Sequence, residues 1–234
     1  MKLGILFSGG KDSNYAMFKA SQEHEITCLI SLISKNSESY MFQTPGNNFL
    51  KAQAKALGLP LIEIKTKGEK EKELKDLKKG ILIAKKKYNI EGVVSGAIKS
   101  NYQSLRIQKI CNELNLWLFN PLWQINEREY LNELLKSKFE IFILAIASYP
   151  FTKNTLGKLI DKKMKNELLE ISDKYKISPV GEGGEFESFV LDSPLFKHKL
   201  EIKKSEKIME SENCGFIHIE EIIEIKKQEK LLRN

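Results

Sequence analysis

Short apolar runs alternate with helix-like segments along the first half of the chain. The apolar runs, which are typical of buried parallel strands, occupy residues 2–7, 26–33, 61–64, 91–95 and 117–119. Between them, apolar residues recur at helical spacing in residues 11–23, 47–58, 65–87 and 102–114. Asn47 or Asn48 is expected to cap the second of these helices. The alternation predicts an α/β fold: a doubly wound parallel sheet with helices on both faces.

After Pro121 the pattern changes to helices followed by consecutive strands. Helical spacing is found in residues 127–135 and 161–175, and strand-like runs are found in residues 141–147, 186–191, 199–208 and 217–227. This order predicts a second, smaller α+β domain. We expect domains at residues 1–122 and 123–226, with a flexible tail at 227–234.

Composition narrows the class of protein. The 234 residues are 41% hydrophobic and 29% charged, as in a globular protein. Neither a bilayer-spanning run nor a signal peptide is evident, so we expect a cytoplasmic protein with no membrane partner. Cys28, Cys111 and Cys214 lie far apart without CxxC spacing, which disfavours disulfides and a zinc site.

The net charge of +7 has two interpretations. A basic chain can bind nucleic acid or an acidic partner. However, all but three of the 38 basic residues are lysines, the exceptions being Arg106, Arg128 and Arg233. A lysine excess often reflects genome composition or a hot habitat. We therefore do not expect a nucleic-acid partner.

The turn after the first strand, Ser8-Gly9-Gly10-Lys11-Asp12-Ser13, is the first candidate site. Two glycines bring backbone N–H groups close to an anion, and the next helix points its positive end there. Lys11, expected to be an exposed loop lysine, adds a charge, and Asp12 is expected to hold Mg²⁺ or to cap the helix. The turn is neither a Walker loop nor a GxGxxG fingerprint. The alternative is an ordinary strand–helix turn.

Three further segments carry candidate chemistry: residues 38–44 (ESYMFQT), residues 95–123 from Ser95-Gly96 to Asn120-Pro121-Leu122-Trp123, and Gly181 to Ser188. Three glycines interleaved with three glutamates cannot form a core element. Carboxylates in such a loop suit an amine, a trimethylammonium group, Mg²⁺ or ammonium. The alternative is an acidic surface turn.

SGGKDS resembles the pyrophosphate loop of the PP-loop ATP pyrophosphatases, which have a HUP-like nucleotide-binding domain and cleave ATP between the α and β phosphates. Together with SYMFQT, NPLW and GEGGEFES…VLDSPLF, it looks like the diphthine–ammonia ligase (diphthamide synthetase) family, from Met1 to about Phe196. The short archaeal-type form is expected. Ser188 departs from the threonine often found in that family, but a hydroxyl survives.

The resemblance implies ATP-dependent amidation of diphthine on translation elongation factor 2 with ammonium, through an acyl-adenylate. Mg²⁺ is the expected second cofactor, bound to phosphate oxygens and to Asp12. The implied catalytic residues are Lys11, Asp12, Glu182, Glu185 and Glu187. The implied ATP-binding residues are Ser8, Gly9, Gly10, Lys11, Asp12, Ser13 and Gly96. The implied substrate-binding residues are Tyr40, Met41, Gln43, Tyr102, Arg106, Gly183, Gly184, Glu185, Glu187 and Ser188.

Two other functions are weighed against this one. A tRNA-modifying PP-loop enzyme fits the basic charge, but thiolation usually needs paired cysteines, and none are so spaced. A nucleotide-binding sensor without catalysis fits less well with Asp12 and the acidic loop. A homodimer through the aromatic residues near 117–123 is weighed against ordinary core packing. The acidic segment is expected to come from the second domain and to face SGGKDS across a crevice.

Overall fold

The computed structural model describes residues 1–34, 48–66 and 70–227. Its first sheet has five strands: β1 Lys2–Leu6, β2 Glu25–Ser34, β3 Leu61–Thr66, β4 Gly92–Val94 and β5 Trp117–Phe119. All four pairings are parallel, in the order β3-β2-β1-β4-β5. The predicted parallel sheet is therefore confirmed, with β1 at its centre.

Four helices cover the two faces of this sheet: α1 Lys11–Ala20, α2 Asn48–Leu57, α3 Lys70–Tyr88 and α4 Asn101–Glu113. Side chains of α1 and α2 pack into one apolar cluster, and side chains of α3 and α4 pack into another on the opposite face. The doubly wound arrangement is thus confirmed.

The helix predicted from Lys65 begins later than expected. Lys65 and Thr66 belong to β3 and pair with Ile33 and Ser34 of β2, so the sheet ladder extends over them. The predicted helix cap is not described by the structure: Asn47 lies outside the described residues, and the side chain of Asn48 is not described. Gly58, with φ +70°, follows α2 as predicted, because this left-handed conformation suits glycine at a helix end.

The second unit combines two helices with an antiparallel sheet. The helices are α5 Glu127–Lys136 and α6 Lys162–Tyr175, and the strands are β6 Glu140–Ile146, β7 Phe186–Asp192, β8 His198–Ser211 and β9 Cys214–Lys226. The strand order is β7-β6-β9-β8, and each pairing is antiparallel. Asn126 and Asp161 cap α5 and α6 through their side chains. The predicted α+β unit is confirmed.

The two units share one apolar core. Tyr15 and Leu57 of the first unit belong to the same buried cluster as Tyr130 of α5 and Phe189 of β7. Packing of this kind holds β7 and α5 against the end of β1, where the glycine turn lies. The exact boundary near residue 122 stays a prediction. Among the described residues, none of the helices combines the length and apolar character needed to cross a bilayer.

Candidate active site

The glycine turn lies where β1 ends and α1 begins. Gly9 has φ +80°, and a Cβ atom there would lie 2.6 Å from Gln53 Oε1, so both conformation and space require glycine. Ser13 Oγ donates to the Gly10 carbonyl over 3.1 Å, and Asn14 Nδ2 donates to the same oxygen over 3.0 Å. These bonds hold the turn tightly against the first turn of α1, whose positive end faces the same way.

Lys11 is buried rather than exposed. Its residue is only 3% exposed, and its Nζ lies 2.9 Å from Asp12 Oδ2 and 5.6 Å from the centre of the Phe186 ring. The expectation of an exposed loop lysine is therefore wrong, because β7 of the second unit covers this end of the sheet. A buried lysine in the glycine turn acts in a medium where its charge is weakly screened.

Asp12 does not cap α1. The N-terminal cap residue is Gly10, and no side chain accepts a capping hydrogen bond there. Instead, Asp12 Oδ1 accepts a 2.8 Å hydrogen bond from the hydroxyl of Tyr130, while Oδ2 faces Lys11. The capping alternative is thus wrong, since both carboxylate oxygens are directed toward side chains.

Strand β7 lies directly against the glycine turn. Ser188 Oγ accepts a 3.1 Å hydrogen bond from the backbone N–H of Lys11, and the N–H of Val190 donates to the Gly9 carbonyl over 3.2 Å. Gln53 Nε2 bridges the Gly9 and Val190 carbonyls at 2.9 and 2.7 Å. The second unit therefore forms one wall of the site.

The acidic segment is a loop only as far as Glu185. Phe186, Glu187 and Ser188 are the first residues of β7, which confirms the strand predicted from residue 186, so the candidate loop ends at Glu185 rather than at Ser188. Glu185 is 9% exposed, and its two oxygens accept from the backbone N–H groups of Ser178 and Gly183, both at 2.9 Å. This carboxylate holds the loop in shape from within.

The other two glutamates differ from Glu185 in their surroundings. Burial raises the pKa of Glu187 to about 7, although the positive charge of Lys11 lowers it. Glu182 Oε1 accepts from the backbone N–H of Lys99 over 3.0 Å, which ties the acidic loop to the segment after β4. Glu187 is therefore a half-buried carboxyl group beside the lysine of the glycine turn.

Gly96 lies against the beginning of α1. A Cβ atom at this position would lie 2.8 Å from the backbone carbon of Asp12 and 2.9 Å from the backbone nitrogen of Ser13. Glycine is needed here because the segment after β4 approaches the helix backbone so closely. This packing supports the glycine turn, and direct contact of Gly96 with ATP stays a prediction.

Tyr102 and Arg106 lie together on α4. The guanidinium carbon of Arg106 is 3.4 Å from the centre of the Tyr102 ring, and Tyr102 is 49% exposed. Arg106 Nη1 also donates to the Tyr102 carbonyl over 3.5 Å, and contact of this pair with the substrate stays a prediction. Of the remaining predicted substrate residues, Gly183 and Gly184 lie on the acidic loop, whereas Tyr40, Met41 and Gln43 fall outside the described residues.

Sequence reasoning missed two buried residues that complete the site, Tyr130 and Gln53. Both contact the glycine turn from distant parts of the chain. Gln53 lies on the apolar side of α2 and is fully buried, which is unusual for glutamine. A glutamine among the apolar positions of this helix was the one signal in the sequence. Tyr130 fits the apolar spacing of α5, so its pattern indicated only core packing.

A glycine turn at the carboxyl end of the central strand of a parallel sheet is the place where α/β proteins of the nucleotide-binding class hold phosphate groups. Two family models match the chain: the diphthamide synthase N-terminal domain over residues 1–118 and the diphthamide synthase C-terminal domain over residues 126–225. The chain therefore belongs to the diphthamide synthase family.

Relatives named diphthine–ammonia ligase agree with this assignment. The one from Rattus norvegicus is 37% identical over 231 residues, covering 90% of this chain and 86% of its own. The one from Homo sapiens is 36% identical over 232 residues, with the same two coverages. The Saccharomyces cerevisiae relative is 31% identical, and the matched region is 34% of its length and 85% of this chain.

A solved structure described as a predicted subunit of tRNA methyltransferase from Methanocaldococcus jannaschii is also similar. It is 17% identical, with a TM-score of 0.44, and the match covers 83% of this chain and 98% of that one. Similarity at this level carries no information on function.

Proposed function

We propose that this chain uses ATP to convert the carboxylate of diphthine into an amide with ammonia, as a ligase that forms a C–N bond. The observation that carries the proposal is the meeting of two segments at Lys11. Its backbone N–H donates to Ser188, and its charge acts on Glu187. The glycine turn, which is proposed to bind the phosphates, thus lies next to the carboxylate of β7, as a reaction between ATP and an amine would require. The name of the relatives, diphthine–ammonia ligase, gives the same two substrates, diphthine and ammonia.

The proposed chemistry has two steps. A carboxylate oxygen attacks the α-phosphorus of ATP, the bond to the β-phosphate breaks, and pyrophosphate leaves. The nitrogen of ammonia then attacks the acyl carbon, and AMP leaves as the C–N bond forms. Adenylation is needed because a free carboxylate is a poor acyl donor.

Lys11 and the backbone of the glycine turn would stabilise the charge that develops on the departing pyrophosphate. The lysine is buried, so its charge is worth more there than in water. Mg²⁺ in such sites is usually held by one or two carboxylates and the substrate phosphates. Asp12 fits that pattern, because its carboxylate is partly exposed next to the turn. When bound, the cation would neutralise phosphate charge.

Within residues 1–34, 48–66 and 70–227, no three His, Cys, Asp or Glu side chains are grouped as a metal site would require. The fit of Mg²⁺ therefore rests on Asp12 together with the phosphates.

Glu187 is the best candidate for the proton acceptor. Ammonium must lose a proton before its nitrogen can attack, and a general base works best with a pKa near the working pH. The pKa of about 7 for Glu187 meets that condition. Glu182 lies on the loop that precedes β7 and is proposed to contact the cationic trimethylammonium group of diphthine. Glu185 is proposed to keep the loop in shape.

The protein substrate is proposed to be translation elongation factor 2. Its modified side chain would enter past Tyr102 and Arg106, with Tyr40, Met41 and Gln43 also proposed to contact it. A homodimer through edge strand β5, where Trp117 is 67% exposed, stays a prediction that light scattering can test.

Replacing Glu187 separates the two chemical steps. Glu187→Gln should still form AMP when hydroxylamine, an amine that is already neutral at pH 7, replaces ammonium. Amide formation with ammonium should fall by about 10²- to 10⁴-fold, the usual contribution of a general base. Glu182→Gln is the comparison variant: it is proposed to weaken diphthine binding, so it should slow amidation equally with ammonium and with hydroxylamine. Equal loss with both amines would show that Glu187 does not act as the base.

A further inference from the structure

Tyr130 links the second unit to the phosphate-binding turn. It lies on α5, is completely buried, and its hydroxyl donates to Asp12 Oδ1 over 2.8 Å. The other oxygen of Asp12 faces Lys11 Nζ at 2.9 Å. The three side chains therefore form a chain of hydrogen bonds that begins in α5 and ends at the candidate catalytic lysine.

The direction of the hydrogen bond from Tyr130 to Asp12 is fixed. A tyrosine hydroxyl beside a carboxylate can only donate, because the carboxylate oxygen carries no proton to give. Because the Tyr130 ring is packed in the shared core, the hydroxyl is held firmly, and the carboxylate it binds cannot rotate freely.

We propose that Tyr130 is a positioning residue: its hydroxyl fixes the Asp12 carboxylate, and through it fixes Lys11 toward the leaving pyrophosphate. The inference rests on the proposed use of ATP. Many groups hold ATP in its ground state, whereas charge on the leaving pyrophosphate grows only in the transition state. Loss of the tyrosine hydroxyl should therefore affect kcat much more than ATP affinity.

Tyr15 provides a matched control. It is 2% exposed, its ring lies 5.3 Å from that of Tyr130, and its hydroxyl donates to Glu133 of α5. Tyr15→Phe removes a buried hydroxyl from the same contact between α1 and α5, but it leaves Asp12 untouched. A purely structural role for Tyr130 would make the two phenylalanine variants behave alike.

The test compares Tyr130→Phe with Tyr15→Phe in the complete enzyme. AMP formation is measured at saturating substrates, and the ATP Kd is measured by calorimetry. For Tyr130→Phe, kcat should fall by about tenfold to a hundredfold, the value of one hydrogen bond to a charged group. Its ATP Kd should change by less than about threefold. Tyr15→Phe should keep kcat. Adding Tyr130→Phe to Asp12→Ala should cause no further loss of kcat, because the tyrosine is proposed to act only through the Asp12 carboxylate.

A second measurement does not depend on turnover. Trace acetylation followed by mass spectrometry should show Lys11 reacting faster in Tyr130→Phe than in wild type or Tyr15→Phe. Unchanged labelling together with unchanged kcat would overturn the positioning role, and so would equal kcat losses in both phenylalanine variants. If wild type forms no AMP, the proposed function fails instead, and the labelling result alone then decides whether Tyr130 holds Lys11.

Discussion

Glu187→Gln should change how the stability of this protein depends on pH. In the folded protein, burial raises the pKa of Glu187 from 4.5 to about 7. Between these two values the folded chain binds more protons than the unfolded chain, so the free energy of unfolding falls as pH rises. The contribution is fully present below pH 4.5 and is lost as pH passes about 7.

The size of the effect follows from the size of the shift. Each pKa unit is worth 1.36 kcal/mol, so the shift from 4.5 to about 7 corresponds to at most about 3 kcal/mol. The side chain keeps some contact with solvent, which makes this an upper limit. Glutamine carries no titrating proton, so the free energy of unfolding of the variant should not fall in this way. Relative to wild type, the variant should become more stable as pH rises.

Urea unfolding of both proteins at pH 5, 6, 7 and 8 measures the difference. Lys11→Met is a control that keeps the titrating carboxyl group and changes only its pKa. The lysine charge lowers the pKa of Glu187, so its removal should move the loss of stability to higher pH. Parallel pH profiles for wild type and Glu187→Gln would refute the placement of a half-buried, titrating carboxyl group beside Lys11.

Three other variants or conditions test the rest of the site. Lys11→Ala should abolish pyrophosphate release, although the variant should still fold in the absence of ATP. Near-normal turnover would contradict the phosphate-binding assignment. Gly96→Ala should lower stability by about 1–3 kcal/mol and weaken ATP binding, because its Cβ would meet the Asp12 and Ser13 backbone at 2.8 and 2.9 Å. Thermal unfolding and calorimetry check both effects. Free ammonium should support amidation and glutamine should not, as mass spectrometry of the product would reveal.

The sequence predicted the features that depend on local signals. Apolar runs and helical spacing located the strands and helices in their correct order, because each run is short and bounded by glycine or polar residues. The glycine turn was equally clear, since two glycines and a lysine between a strand and a helix form a compact local pattern.

Features that depend on long-range packing were not predictable in this way. Tyr130 lies 118 positions from Asp12, and Ser188 lies 177 positions from Lys11. Their meeting results from the apolar core that both units share. The same packing buries Lys11, which the local pattern indicated as exposed.

The glycine turn and strand β7, which carries Glu187, are proposed to perform one ATP-dependent amidation. Wild type should be mixed with ATP, Mg²⁺, ammonium and either diphthine-bearing elongation factor 2 or bulk tRNA. We expect AMP, pyrophosphate and an amide in equal amounts with the elongation factor, and none of these products from Lys11→Ala. AMP release with tRNA and none with the elongation factor would contradict the account.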